Sequence, residues 1–230
     1  MVTVKNDSEA TTGIPRESCT RCGICCEKGG PAFHAEDRYL IDKGIIHTRH
    51  LYTIRRGEWV HDNVRDQTQP SDSEMIKIKG QGGSWTCHFF NTEDKRCTIY
   101  AQRPLECRTL QCWNTAALEK IYDRNRLTRR DLLVDIAGLW ELVEEHERHC
   151  AAEKLKSSLD DLEGSFQKAA IKAVITMVRY DQEIRRMVTS QGGVEPDMLE
   201  FLFGRPAEKT IGMFGYRLGE RDGHYSLIKQ

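Results

Sequence analysis

The sequence has no run of about 18 uninterrupted apolar residues, so nothing in it reads as a membrane-spanning helix. Its first 18 residues are polar and lack the apolar middle section of a secretory signal, which leads us to expect a cytoplasmic protein. Net charge is nearly absent: 34 Lys and Arg against 35 Asp and Glu leave −1. No global field therefore favours nucleic acid or an anionic membrane as partner, and any binding patch must be local. A glycine-rich phosphate loop, Gly-x-Ser-x-Gly and His-Glu-x-x-His are all missing, which removes the usual kinase and hydrolase signatures. There is no internal repeat and no low-complexity tract. Hydrophobic residues are 39% of the 230, a lean content that suits a modest core helped by crosslinks.

Cysteine, by contrast, is abundant. Four thiols fall within eight residues, Cys19-Thr20-Arg21-Cys22-Gly23-Ile24-Cys25-Cys26, and a looser set follows at Cys87, Cys97, Cys107 and Cys112. The ninth, Cys150, is left over. In a reducing cytosol such clusters are more often metal-binding than disulfide-bonded. A disulfide framework would also strain at the adjacent pair Cys25-Cys26, because each would need its own distant partner. Cys19-x2-Cys22 curls the backbone around one ion, and Cys25 extends it to the Cys-x2-Cys-x2-Cys spacing of bacterial ferredoxin runs. Cys26 then points elsewhere and is available to a second site or to the downstream group. Spacings of nine, nine and four in that group are too wide for one zinc knuckle, but suit loops that each drop one ligand onto a shared centre. Arg103 and Arg108 flank Cys107 and could offset the negative charge of a thiolate centre; ordinary surface solvation is the equal alternative.

These residues expect an α+β fold: a small metal-centred cysteine domain with short hairpins, then a helical region packed on it. We divide the chain into a flexible tail at 1–18, a cysteine domain at 19–115, a helical region at 116–203 and a C-terminal tail at 204–230. A short helix is expected over His34–Lys43, ended by Gly44. A hairpin broken by Arg56-Gly57 is expected within 45–60, and a loop from His61 to Ser73. A second hairpin should pair Met75–Lys79 with Trp85–Phe90. Helical periodicity starts at Thr115, and Thr128 to Asp131 reads as a capping box opening one helix to about His149. Another long helix should run from Ser157 to Gly192-Gly193, with its stripe from Leu159 through Phe166 to Ile184 facing the core or, less favoured, a partner. Pro196 opens a short helix to Phe203, and Met213–Leu218 is a candidate strand.

Cys19-Thr-Arg-Cys-Gly-Ile-Cys-Cys26, Cys87-His-Phe-Phe, Arg96-Cys97-Thr-Ile-Tyr100, and Arg103-Pro104-x2-Cys107-Arg108 with Cys112 together resemble the YkgJ family of zinc- or iron-chelating cysteine-cluster proteins, over about residues 19 to 113. The resemblance implies that Cys19, Cys22, Cys25, Cys26, Cys87, Cys97, Cys107 and Cys112 bind metal, and implies little about activity. The same cysteine pattern is similar to one in flagellin lysine methylases, although the helical half shows nothing that matches them. An iron–sulfur cluster, in 4Fe–4S form, is favoured over zinc by the ferredoxin-like triple and the thiol density; the lack of a Cys-Pro after the fourth ligand leaves zinc open. Three functions follow: electron transfer or service to a redox or methylation system; a zinc-stabilised module whose helical half docks a protein partner; and a cluster-dependent, methyltransferase-like enzyme.

Other candidates are weaker. His88 beside Cys87, and His149 beside Cys150, could supply exchangeable ligands, but such residues more often only surround a site. Cys150 as a free buried thiol is the plainer reading. His47, His50 and His61 are scattered. Arg124, Arg126, Arg129 and Arg130 could meet phosphate, yet a solvated helix entry is the stronger expectation. Glu144-Glu145 and Asp160-Asp161 read as solvent-facing helix charges.

Overall fold

The computed structural model describes residues 18–230, and the expected tail falls almost entirely on 1–17, outside the described residues. The fold is α+β. After α1 (Ile24–Glu27) comes a 3-10 turn, Ala35–Asp37, that runs into α2 (Arg38–Asp42), as the helix reading of 34–43 expects. Its entry is fixed by Asp37, whose carboxylate accepts the backbone N–H of His34 (3.1 Å) and of the distant Leu105 (2.8 Å). Gly44, at φ 65°, ends it in the left-handed conformation that glycine adopts without strain.

The strands differ from the sequence reading in their pairing. β1 (Leu51–Ile54) pairs antiparallel with β4 (Met75–Ile78), and β2 (Trp59–Asp62) pairs with β3 (Gln67–Pro70), so β1 and β2 are not partners. Bonds from Gly57 N–H to the Ser71 carbonyl and from Ser71 N–H to Glu58 carry the ladder across the gap. The whole is one long bent hairpin. The bend sits where Arg55, 2% exposed, turns inward and Gly57 takes φ 78°. β3 lies inside the expected loop; its polar Gln-Thr-Gln-Pro is mostly exposed and shows no apolar alternation to read. Met75–Lys79 meets the following segment only through the Gly80–Cys87 bridge and the bonds of His88 to Lys79 and Gln81 to Thr86. The true partner pair there is β5 (Phe90–Asn91) with β6 (Arg96–Cys97).

Helices follow: α3 (Leu105–Thr109), α4 (Ala116–Glu119) and α5 (Arg129–Leu133). Thr128 caps α5, with Asp131 closing the capping box. The helix expected to run on to His149 instead stops and restarts as α6 (Leu139–Cys150), with Gly138 at φ 77° as its N-cap. Likewise the helix expected from Ser157 is two: α7 (Ala152–Asp160) and α8 (Gln167–Ser190), which fold back on each other around Gly164. Phe166 therefore falls at the turn, 72% exposed, instead of on the core stripe. Both arms keep an apolar period of about 3.6, so the reversal is marked only by its glycine. After a 3-10 turn at Pro196–Met198, α9 (Leu199–Phe203) appears where expected. α10 (Ala207–Met213) was not foreseen, and the C-terminal strand is β7 (Tyr216–Arg221), displaced from Met213–Leu218 and paired with β8 (His224–Lys229).

The main core gathers Phe33, Leu40, Leu51, Ile76 and Ile78 from the cysteine-rich half with Val143, Ile184, Val188 and Phe201–Phe203 from the helical half. A second cluster, Leu155, Leu159, Leu162, Ala170, Val174, Val178 and Ile211, lies among α7, α8 and α10. Thr53 Oγ1 donates to the Phe201 carbonyl (2.6 Å), tying β1 directly to α9. Buried charged side chains cross the same boundary at Arg129 and Arg55, and Asp181 organises the helical half. Arg129 Nε and its second guanidinium nitrogen donate to Glu74 (3.0 and 2.6 Å), with further bonds to Glu147 (2.7 Å) and the Leu202 carbonyl (2.5 Å). Arg55 pairs with Glu58 (2.8 Å) and donates to the Cys150 carbonyl (2.8 Å). Asp181 accepts from His146 (2.7 Å), Arg185 (2.9 Å) and the Ala207 N–H (2.9 Å). No helix among the described residues is long and apolar enough to cross a membrane.

Candidate metal centre

Five of the eight clustered thiols, from four segments, lie near one another beside the main core. Cys25 and Cys26 sit on α1, whose start depends on Gly23: at φ 85°, any Cβ there would lie 2.3 Å from the Phe90 ring. The Cys87 N–H donates to the Cys26 carbonyl (2.8 Å), which clamps the second cysteine segment onto the first. Phe90 N–H then bonds the Cys87 carbonyl, and Phe90 pairs with Cys97 across the β5–β6 turn. Cys107 arrives on α3, whose position is set by two neighbours: Leu105 N–H on Asp37, and the Glu106 carboxylate accepting the Ala32 N–H (2.7 Å). Four separate pieces of chain are thus brought near one another by backbone bonds and two carboxylates, without help from the thiols.

Five of the eight expected ligands influence one another electrostatically: Cys25, Cys26, Cys87, Cys97 and Cys107. The Cys26 thiol donates to Cys25, and that bond draws Cys25 down to about 6 while pushing Cys26 above the ordinary thiol range. Burial pushes Cys87 up to about 11 and raises Cys97 and Cys107, with neighbouring thiols adding to the effect. Cys19, Cys22 and Cys112 are exposed. Among the described residues, no three His, Cys, Asp or Glu side chains already stand around one point as a metal would require. The donor set nonetheless fits a soft metal: thiols from four segments sense one another, and burial with neighbouring thiols opposes their ionisation until a cation balances it.

Arg103 lies within the field of Cys25 and Cys97. Its Nε is buried without a hydrogen-bond partner. The guanidinium rests 3.6 Å from the Tyr100 ring, where Arg21 also lies, at 4.4 Å. Arg108 goes elsewhere, to Asp37 (3.8 Å). His88 stacks on His50 (4.4 Å) and meets Phe89 edge-on (5.1 Å). Burial, with cationic neighbours, lowers both histidines, His50 to about 4. His149 pairs with Glu145 (2.9 Å) and stacks on Tyr180. Cys150 is 2% exposed, its thiol directed to the Met177 carbonyl (3.5 Å) and pushed up to about 12 by burial. Its charged neighbours are Asp181, Arg55, Glu147 and Arg185, none of them in the thiol group.

Within the basic run, Arg129 is a core residue and takes no part in any phosphate surface. Sequence reasoning missed Glu106, which also faces the buried His34 (3.4 Å), and the paired buried charges at Arg55, Arg129 and Asp181. Only its place next to Cys107 could have singled out Glu106; a buried arginine carries no sequence mark.

Residues 18–128 match a family model described as "CxxCxxCC: Putative zinc- or iron-chelating domain". No curated protein and no solved structure matches the chain.

Proposed function

We propose that the chain, whose residues 18–128 match a zinc- or iron-chelating cysteine domain, holds an iron–sulfur centre and passes electrons to, or serves, a larger redox or methylation system. Cys19, Cys22, Cys25, Cys26, Cys87, Cys97, Cys107 and Cys112 would hold it. The observation that carries this reading is the Arg103 Nε, a buried N–H donor with no acceptor, set beside Cys25 and Cys97. N–H groups directed at sulfur are one means by which proteins tune such centres. When bound, the centre supplies one-electron chemistry. The chain's own residues do the rest. Arg103 and Arg21, held against Tyr100, offset thiolate charge; Phe90, under Gly23, closes the inner side; and exposed Cys19, Cys22 and Cys112 keep the outer side near the surface, where a redox partner could approach.

Zinc is a second reading, favoured by the brevity of the elements that carry the thiols. α1 has four residues, and β5 and β6 two each. Such pieces gain most from a closed structural ion. Anaerobic purification with metal and acid-labile sulfide analysis tests both. Iron and sulfide in comparable amounts, with absorbance near 400 nm that bleaches reversibly on reduction, are expected. A colourless protein with stoichiometric zinc would overturn the iron–sulfur reading.

A further inference from the structure

A cavity of about 410 Å3 opens between the bent hairpin and the stretch from α3 to α5, with Glu106, the chain neighbour of Cys107, in its wall. That size suits a small metabolite. Its apolar wall comes from Ile54, Val60, Met75 and Leu118. Most of its charged side chains are already engaged. Asp62 accepts the N–H groups of Val64 and Arg65 and the Gln69 amide; Arg65 pairs with Asp62 and Asp72; His61 pairs with Asp66. Glu106 is spent on the Ala32 N–H and His34.

Two cations differ. Lys77, on β4, pairs through its backbone with Tyr52 and Ala32, but its side-chain ammonium has no hydrogen bond and no ion pair among the described residues. Arg126 donates to the Tyr122 carbonyl (2.8 Å) and the Ser73 hydroxyl (3.4 Å) and has no carboxylate partner among the described residues. Arg126 is near enough to repel Lys77, and Glu106 attracts it without reaching ion-pair distance. The other acid at the rim, Asp123, is exposed and therefore screened by water. Two like charges facing one partly closed cavity, neither with a carboxylate at ion-pair distance among the described residues, are eased when an anion joins them.

We propose that this cavity binds a small molecule through an oxyanion, a carboxylate or a phosphate, held between the Lys77 ammonium and the Arg126 guanidinium. The inference does not depend on which metal the thiols hold. It is tested on the full metal-loaded chain by calorimetric titration with inorganic phosphate and, separately, with succinate, each against chloride at matched ionic strength. Saturable binding of at least one probe is expected, weakened about tenfold or more in Lys77→Gln and in Arg126→Gln, and largely kept in Lys77→Arg. Phosphate alone binding marks a phosphate-bearing ligand, and succinate alone a carboxylate. Metal content is read on the same samples. If it stays at the wild-type level, failure of both probes, unchanged binding in both glutamine variants, or loss in Lys77→Arg as complete as in Lys77→Gln would each overturn the proposal.

Discussion

Arg129→Met asks whether buried charge holds the cysteine half to the helical half. The side chain is 2% exposed and donates to Glu74, Glu147 and the Leu202 carbonyl, which belong to three different parts of the chain. Methionine fills much of the same volume, so the loss is electrostatic more than a cavity effect. Breaking a buried pair from one side costs about 3–5 kcal/mol, because the abandoned charge stays desolvated. Here the abandoned carboxylates retain some water, with side-chain exposures of 18% for Glu74 and 31% for Glu147, which places the cost near the lower end, about 3 kcal/mol. The unpaired Leu202 carbonyl adds about 1 kcal/mol. At roughly 2–4 °C per kcal/mol for a chain of this size, the melting temperature should fall by about 8–16 °C. Scanning calorimetry at fixed metal occupancy measures this, with exposed Arg130→Met as control, expected within about 0.5 kcal/mol of wild type. Adding Glu147→Gln to Arg129→Met should cost less than the two single changes summed. If Arg129→Met lies within about 1 kcal/mol of wild type, the apolar core alone joins the halves and the reasoning fails.

Cys107→Ser and Cys22→Ser should each lower bound metal, measured by plasma emission, whereas Cys150→Ser should leave it unchanged, since the Cys150 thiol faces Met177. Full metal retention in both of the first two would contradict the ligand assignment. Gly23→Ala forces a Cβ into the Phe90 ring at an unfavourable φ and should cost about 1–3 kcal/mol in urea denaturation, with faster metal loss to a chelator. For His34, burial opposes the charge, but bonds to Glu106 and the Arg124 carbonyl outweigh it and raise the folded value above 6.5. Its stabilising contribution is therefore full below about pH 6.5 and is lost as pH rises through the folded value, a loss that His34→Gln should abolish in unfolding midpoints taken across pH. His146 has the opposite sign. Burial lowers it, Nε2 donating to Asp181 while it is neutral, so stability is lost as pH falls below 6.5, and His146→Gln should flatten that acid-side slope.

The cysteine positions, the capping box at Thr128 and the helices at 38–42 and 199–203 were legible because each rests on a local signal: a spacing, a cap, a proline. What failed was pairing and continuity. The β1–β4 register joins residues more than twenty positions apart, and Gly57 and Arg55 together set a bend that no local pattern announces. Gly164 and Gly138 each interrupt a stripe that stays apolar on both sides, so a periodicity reading joins what the chain folds apart. At the centre, the thiols themselves were visible. The supports that bring them together, Asp37 on Leu105 and Glu106 on Ala32, are single carboxylates that engage backbone N–H groups 68 and 74 residues away.

The bond from Thr53 to the Phe201 carbonyl has a bearing on how the chain is made. All eight clustered thiols are synthesised before residue 113, while the α9 segment that covers β1 emerges about 90 residues later. At ribosomal speeds of about 5–20 residues per second, that interval is roughly 4–18 s. For those seconds the nascent cysteine segment has its reactive groups but not its roof. The thiol segments are thus complete before α9 can cover β1, and closure of the core comes late in synthesis.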